Sequence, residues 1–242
     1  MREQPFDVEV AGVRVPGLVW TPPGDGPYPL VLMGHGVASH KRSDTILTRA
    51  RRYVEECGFA VAAIDAPDHG ERVDPARAAE LAADTMRRVT SGTFLDPDGV
   101  RTLLDRARRA GPEWTATVDR LTELGVTRPG RPIGYLGVSH GTLVGLGFVA
   151  GEPRITAAVF GLFGALPGDT TLLEAAAGVR VPVEFALQSA DEIFARDTGL
   201  ALFDALGSAE KSLHLNPGGH LALPAFEEES WERFLRRHLL HS

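Results

Sequence analysis

Short, almost continuous apolar runs separated by helical patterns constrain the fold of this chain more than any other feature of its sequence. After a Pro- and Gly-rich loop, the runs are Leu30–Met33, Phe59–Ile64, Ile133–Val138, Ile155–Phe160 and Val181–Leu187. Strands buried on both faces have this character, whereas strands with one solvated face alternate between apolar and polar residues. Helical patterns lie between the runs, so the sequence predicts βαβ units, a mostly parallel sheet and helices on both of its faces.

The two ends of the chain complete a predicted sheet of eight strands. Apolar and polar residues alternate around Ala11–Gly12, which predicts an antiparallel hairpin at the start. Lys211–Leu215 is the last predicted strand, and a helical pattern around Trp231 and Leu235 follows it. The length of 242 residues fits a single α/β domain over residues 1–242.

One connection is longer than a parallel crossover requires. Ala66–Pro132 contains helical patterns at Pro75–Val89, Asp98–Ala110 and Glu113–Leu124, of which only the last is needed as a crossover. We expect residues 68–111 to form a helical insertion that covers the site as a lid, because ligands bind at the carboxyl edge of such sheets. Its apolar side chains are Leu81, Met86, Val89, Phe94, Leu95, Leu103 and Leu104. A surface decoration or a dimer contact remains the alternative.

The overall charge restricts the partners of the chain. Its formal net charge is −7, which argues against binding to nucleic acid or an anionic membrane. The basic runs around Arg49 and Arg106 are interpreted as solvated helix faces. No apolar stretch is long enough to span a bilayer and Met1–Val10 does not resemble a signal peptide, so a cytoplasmic location is expected by default. The sequence does not decide whether the chain forms a homo-oligomer.

Gly137–Gly141, with the sequence Gly-Val-Ser-His-Gly, carries the strongest chemical signal. It follows an apolar strand and opens a helical segment. A strand-to-helix turn this tight forces its central residue into a strained backbone conformation and leaves no room for side chains at the flanking glycines. The turn exposes the hydroxyl of Ser139 above the sheet, beside a helix N-terminus that favours developing negative charge. Ser139 is therefore the predicted nucleophile.

Acyl transfer by a serine also needs backbone donors for the developing oxyanion. The N–H of His140, directly after Ser139, is one predicted donor. The second is expected from the loop that begins Gly34–Val37, after an earlier strand, with Val37 as the main candidate and Ala38 as the alternative. The side chain of His35 in this loop is interpreted as structural.

A histidine and a carboxylate complete the predicted catalytic set. His220 follows two glycines after the last predicted strand and is expected to act as general base. Asp191 follows the strand Val181–Leu187, where its carboxylate can fix the tautomer of the histidine. Asp169 is the rival acid, and Glu192 is expected to point elsewhere. The chain order of Ser139, Asp191 and His220 agrees with the order of α/β-hydrolase triads.

These motifs together resemble the α/β-hydrolase superfamily, and within it the dienelactone-hydrolase-like and small acyl-esterase branch. The segment Ile64–Arg72, which reads Ile-Asp-Ala-Pro-Asp-His-Gly-Glu-Arg, resembles the Asp-x-Pro-x-His-Gly stretch of that branch. The resemblance spans nearly the whole chain and implies an α/β-hydrolase fold with structural roles for Asp65 and His69. Unlike true dienelactone hydrolases, which use cysteine, this chain carries serine as its nucleophile, so that exact activity is not expected.

The predicted function is cleavage of a small-molecule carboxylic ester through an acyl-enzyme on Ser139. An acyltransferase with the same triad, or a non-catalytic ligand-binding module on this fold, are the alternatives. No cofactor is predicted, because nothing resembles a dinucleotide-binding turn or a phosphate loop. No metal site is predicted either, because His35, His40, Asp65, Asp68 and His69 lack a recognised ligand spacing.

Overall fold

The apolar runs form the strands of a single sheet in the computed structural model, which describes residues 1–240. The strands are β1 (Arg2–Val10), β2 (Val13–Thr21), β3 (Leu30–Gly34), β4 (Ala60–Ile64), β5 (Ile133–Gly137), β6 (Ile155–Gly161), β7 (Val183–Gln188) and β8 (Lys211–Asn216). The helices are α1 (Asp44–Cys57), α2 (Pro75–Thr90), α3 (Pro97–Glu123), α4 (His140–Gly151), α5 (Thr171–Gly178), α6 (Arg196–Ala205) and α7 (Ala225–Leu240).

The strand order across the sheet is β1-β2-β4-β3-β5-β6-β7-β8. β1 and β2 form the predicted antiparallel hairpin, and β2 also runs antiparallel to β4. The remaining neighbours pair in parallel from β4 to β8. The predicted eight-stranded, mostly parallel sheet is confirmed, and the carboxyl ends of its parallel strands lie along one edge.

Helices cover both faces of the sheet, because strands such as β3 and β4 are apolar and buried on both sides. On one face α1 and α7 pack against the sheet through Tyr53 and Trp231. On the other face lie α3, α4, α5 and α6, with Trp114 and Phe148 in the core. Each face therefore buries its own apolar cluster against the central strands.

The insertion between β4 and β5 contains two helices rather than the predicted three. α3 runs without a break through Pro112, where we had expected two separate helices. A proline inside a helix costs about 3 kcal/mol, since it lacks an N–H and crowds the preceding turn. Burial of Trp114, Val118 and Leu121 offsets this cost at roughly 1.5–3 kcal/mol for each large side chain. None of the helices within residues 1–240 is long and apolar enough to cross a membrane.

The interpretation of the basic runs as solvated faces was wrong for two arginines. Arg49 is buried between α1 and α7, where it donates to Glu228 at 2.6–3.0 Å and lies over the ring of Trp231. Arg106 of α3 is buried as well and donates to Asp68 at 3.2 Å. Their acidic partners lie on distant segments of the chain, so a local charge pattern could not reveal them.

Candidate active site

Ser139 occupies the sharp turn between β5 and α4. Its backbone angles are φ 56° and ψ −122°, a strained conformation for a residue with a side chain. A Cβ on Gly137 would lie 2.6 Å from the carbonyl oxygen of Gly141, and a Cβ on Gly141 would lie 2.7 Å from that of Gly34. Both flanking positions require glycine, because the crowding atoms belong to backbone that cannot move away. The turn therefore places the serine at the carboxyl edge of the sheet.

The structure brings Ser139, His220 and Asp191 into one chain of hydrogen bonds. Ser139 Oγ lies 2.9 Å from His220 Nε2, and His220 Nδ1 lies 2.8 Å from Asp191 Oδ2. The side chains of His220 and Asp191 are only 5% and 3% exposed. The three residues follow β5, β8 and β7, so the parallel arrangement of these strands is what makes them meet.

The ionisation state of Asp191 determines which ring nitrogen of His220 carries the proton. Burial by itself would raise the pKa of Asp191, but hydrogen bonds from His220 and from the N–H groups of Phe194 and Ile193 outweigh it and lower the pKa. An ionised carboxylate only accepts hydrogen bonds, so His220 Nδ1 donates to it. Nε2 is then free to accept the proton of the Ser139 hydroxyl.

Asp169, the rival acid, lies elsewhere. Its Oδ1 accepts the N–H of Thr171 at 2.8 Å, just before α5. This short local contact is typical of a carboxylate that stabilises the start of a helix. Among the side chains of residues 1–240, Asp191 is the carboxylate that the structure places on the imidazole of His220.

Glu192 makes a contact with His220 that the sequence did not predict. Its Oε2 accepts the backbone N–H of His220 at 2.8 Å. A Cβ on Gly219 would lie 2.6 Å from the same oxygen, so the glycine before the histidine leaves room for this carboxylate. The prediction that Glu192 points elsewhere is therefore wrong, because its carboxylate binds the main chain of the loop that carries His220.

Two backbone N–H groups beside Ser139 are free to bind an anion. Within residues 1–240, neither Val37 N–H nor His140 N–H donates a hydrogen bond. His140 is the first residue of α4, where helical N–H groups lack intrahelical acceptors. Val37 and His140 line the same small cavity next to Ser139. The arrangement fits the predicted oxyanion hole, although the loop also contains Ala38, which has a φ of 55°.

A buried ion pair anchors the loop that follows Val37. Lys41 Nζ lies 2.6 Å from Asp65 Oδ2 and 2.6 Å from Glu71 Oε1. Asp65 is fully buried and also accepts the backbone N–H groups of Lys41 and Glu71 at 2.9 Å. The loop after β3 is thereby fastened to the loop after β4. Asp65 has the structural environment that the family resemblance implies, and its partner Lys41 was not singled out in the sequence.

Three buried histidines pack together near the loop that contains Val37. The ring centroids of His35, His69 and His140 are 4.7–6.1 Å apart. His35 Nε2 accepts the N–H of Ala66 at 3.0 Å, and His69 Nδ1 donates to the carbonyl of Pro67 at 2.7 Å. Burial lowers the pKa of all three rings, and that of His69 falls to about 4. The cluster is therefore uncharged at neutral pH.

Two cavities of very different size meet at Ser139. One, of about 20 Å³, is enclosed by apolar side chains that include the rings of Phe94, Phe163 and Phe194. Phe163 and Phe194 pack with ring centroids 4.3 Å apart. The other, of about 520 Å³, is the larger cleft and is lined by both Ser139 and His220.

The insertion supplies walls to both cavities. α2 contributes Ala82, Thr85, Met86 and Val89 to the larger cleft. Val89 also lines the small cavity, together with Phe94 from the α2–α3 connection and Leu103 from α3. The insertion therefore borders both cavities beside Ser139. Four of its seven predicted apolar side chains line them, together with Ala82 and Thr85.

Solved structures of hydrolases share this architecture over almost the whole chain. A cold-adapted esterase from an Arctic intertidal metagenomic library, solved in complex with PEG, is 34% identical, with 98% of this chain and 94% of that chain covered and a TM-score of 0.80. Dienelactone hydrolase from Anabaena variabilis is 18% identical, with 99% and 97% covered and a TM-score of 0.65. Est1E from Butyrivibrio proteoclasticus, with bound ferulic acid, is 17% identical, with 97% and 99% covered and a TM-score of 0.69. No protein-family model and no curated protein sequence matches the chain.

Proposed function

The chain belongs to the α/β-hydrolase superfamily of esterases, and we propose that it hydrolyses carboxylic esters through an acyl-enzyme on Ser139. The observation that carries the proposal is the hydrogen-bonded series from Ser139 Oγ through His220 to Asp191, at a strained turn facing a cleft. The 34% identical esterase supports the same reaction class.

In the first half of the reaction Ser139 Oγ attacks the ester carbonyl carbon while His220 Nε2 takes the hydroxyl proton. The carbonyl oxygen becomes an oxyanion that the N–H groups of Val37 and His140 bind. Ionised Asp191 stabilises the imidazolium formed on His220. The imidazolium then returns its proton to the alkoxide leaving group, the C–O bond breaks, and the alcohol departs.

In the second half water replaces the alcohol. His220 Nε2 accepts a proton from the water as its oxygen attacks the acyl carbon, and the same N–H groups bind the second oxyanion. Collapse of this intermediate breaks the bond to Ser139 Oγ, which takes back its proton from His220. The products are a carboxylic acid and the regenerated enzyme.

The two cavities support an assignment of the two halves of the substrate. His220 must reach the leaving oxygen to protonate it, and His220 lines only the larger of the two cavities. The alcohol half therefore occupies the cleft of about 520 Å³. The acyl half occupies the cavity of about 20 Å³ beside Val37 and His140. An ester of a short acid and a larger, mainly apolar alcohol fits this division.

The helical insertion, residues 68–111, serves as a lid in this proposal. Its helix α2 borders the larger cleft, where Met86 is 63% exposed at the mouth. Movement of α2 would open the path for the alcohol half, and for the water that later attacks the acyl-enzyme. A role in dimer contact is the alternative, which self-association measurements on Met86→Ala distinguish from a change in substrate preference.

Hydrolysis of an activated ester by wild type, Ser139→Ala and Ser189→Ala tests the proposal. Loss of the nucleophile should lower kcat by roughly 10⁴–10⁶-fold, because the remaining triad members cannot act without it. Ser189 is exposed at the end of β7, and its replacement should leave kcat unchanged. Near wild-type activity in Ser139→Ala would contradict the mechanism.

The fate of the acyl group distinguishes the proposal from its alternatives. A hydrolase releases the acid as the main product even when alcohols or amines are added as acceptors. An acyltransferase converts most of the acyl group into the new ester or amide. A ligand-binding module hydrolyses no ester and leaves Ser139 unlabelled by a fluorophosphonate.

A further inference from the structure

A second group of chemically active side chains lies where α7 packs on the last two strands. Glu184 of β7 pairs with Ser212 of β8, so His214, two residues further along β8, lies on the same face of the sheet. Glu227 belongs to the first turn of α7 on that face. The fold therefore brings two carboxylates and one imidazole from three separate elements to one point.

Their spacing suits a metal ion. His214 Nδ1 lies 3.0 Å from Glu227 Oε2 and 3.8 Å from Glu184 Oε1, and the three ligand atoms lie within 4.8 Å of one another. A tetrahedral Zn²⁺ with ligands at about 2.0–2.1 Å holds those ligands about 3.3 Å apart. The two distances from His214 lie on either side of this value, and the two carboxylate oxygens lie within 4.8 Å of each other, so binding requires the three side chains to adjust until these distances are equal.

One buried carboxylate oxygen of the group has no hydrogen-bond partner among the described residues, although the Ser230 hydroxyl donates to Glu184 and the charge of Arg233 also acts on it. Glu184 and Glu227 are 6% and 1% exposed. His214 Nδ1 can donate a single hydrogen, which the 3.0 Å distance assigns to Glu227. Among the contacts of residues 1–240, Glu184 Oε1 is buried without a hydrogen-bond partner. A buried carboxylate oxygen in this condition is costly unless a cation neutralises it.

We propose that Glu184, His214 and Glu227 bind a divalent transition metal ion of the Zn²⁺ type. The mixed imidazole and carboxylate ligands favour such an ion over Mg²⁺ or Ca²⁺, which prefer oxygen ligands throughout. Binding releases the Nδ1 proton of His214 to solvent, and water fills the remaining coordination position. A cavity of about 280 Å³ borders the site at Glu184, and Arg233 and Arg237 also line it.

The expected role of this ion is structural. It would join the start of α7 to β7 and β8, and the loop that carries His220 lies between β8 and α7. The three ligands are separate from Ser139, His220 and Asp191, so the ester chemistry requires no metal step. The sequence predicted no metal site, because ligands on three distant segments show no recognisable spacing.

Calorimetric titration of the EDTA-treated full-length protein with Zn²⁺ tests the site. Wild type should bind one ion per chain at micromolar concentration. Glu184→Gln and His214→Asn should each weaken binding by about tenfold or more, since each removes one of three ligands. His40→Asn, which removes an exposed histidine, should bind Zn²⁺ as wild type does.

Thermal unfolding of the same proteins with and without Zn²⁺ provides the second readout. Binding to the native state should raise the Tm of wild type and His40→Asn, and raise that of Glu184→Gln clearly less at the same Zn²⁺ concentration. The Tm of each metal-free variant shows whether it is folded, and Glu227→Gln replaces any variant that is not. No binding by wild type at micromolar Zn²⁺, or binding by either ligand variant within threefold of wild type, would overturn the proposal.

Discussion

The carboxylate of Glu192 accepts the backbone N–H of His220 at 2.8 Å. The preceding residue, Asp191, accepts from the imidazole of the same histidine, also at 2.8 Å. Two consecutive carboxylates after β7 thus hold one histidine, the first by its ring and the second by its main chain. We infer that Glu192 positions His220 without taking part in proton transfer.

Replacing Glu192 by alanine should lower kcat by about threefold to tenfold and change KM little. The lost hydrogen bond is worth roughly 1 kcal/mol, and the loop of His220 becomes freer without it. Glu192→Gln retains an acceptor oxygen and should restore most of the activity. Steady-state kinetics of both variants checks this, and an alanine variant with wild-type kcat would show that the contact has no functional effect.

Asp191→Asn should lower kcat far more, by roughly 10⁴-fold, as in other triads where an amide stabilises the wrong tautomer. Asp169→Asn is the matched control, because Asp169 contacts the N–H of Thr171 instead of His220. Its kcat should stay near that of wild type. A severe loss in Asp169→Asn together with a mild one in Asp191→Asn would mean that the acid has been misidentified.

Phe94→Ala should extend the range of acyl chains that the enzyme accepts. If the acyl half occupies the cavity of about 20 Å³, wild type should accept only short acids, and removal of the Phe94 ring should enlarge this cavity. A single methylene in an apolar pocket is worth roughly 1–3 kcal/mol, so kcat/KM for longer acyl chains should rise by about tenfold relative to acetate. The measurement is kcat/KM across a series of esters with a constant alcohol and increasing acyl length.

Met86→Ala is the control for this series, because Met86 lines the larger cleft and not the small cavity. It should change kcat/KM across a series of alcohols and leave the acyl preference unchanged. The assignment of the two halves of the substrate fails if Met86→Ala alters acyl preference and Phe94→Ala does not.

The buried histidine cluster predicts a loss of stability in mild acid. Burial lowers the pKa of His69 to about 4, whereas an unfolded histidine titrates near 6.5. The unfolded chain therefore binds a proton first, and stability that is present above pH 6.5 is lost as the pH falls towards 4. His69 alone should lower the free energy of unfolding by roughly 1–2 kcal/mol between pH 7 and pH 5.

Urea unfolding of wild type and His69→Gln at pH 7 and pH 5 measures this effect. Glutamine cannot titrate, so the variant should lose less stability on acidification than wild type. Asp65 and Asp191 also have lowered pKa values, but these carboxylates affect the free energy of unfolding only below about pH 4. They therefore do not contribute to the difference measured between pH 7 and pH 5. Equal pH dependence in the two proteins would contradict the role given to His69.

Local patterns predicted the features of this protein that depend on neighbouring residues. The turn at Ser139 could be identified because its glycines, strand and helix are contiguous, and His220 and Asp191 follow strands whose order the pattern also predicts. The sheet was predictable for the same reason. α3 was not, because the burial of Trp114 against the sheet outweighs the break expected at Pro112.

Contacts between distant segments could not be predicted. Lys41 is buried and pairs with the buried Asp65 and with the exposed carboxylate of Glu71, both of which follow a different strand. In the sequence, Arg49 resembles a solvated residue, but in the fold it pairs with Glu228 of α7. In each case the charge can be buried because tertiary packing brings an opposite charge next to it. The periodicity of the sequence does not predict which distant residues will pair in this way.

Peptide mapping by mass spectrometry after treatment with a fluorophosphonate tests the central claim most directly. If Ser139 is the nucleophile activated by His220, a single phosphonyl adduct should form on the peptide that contains Ser139, with loss of esterase activity in proportion to labelling. Ser139→Ala should remain unlabelled, and His220→Ala should be labelled far more slowly. An adduct on any other residue that accounts for the loss of activity, or full inhibition with Ser139 unmodified, would contradict the account.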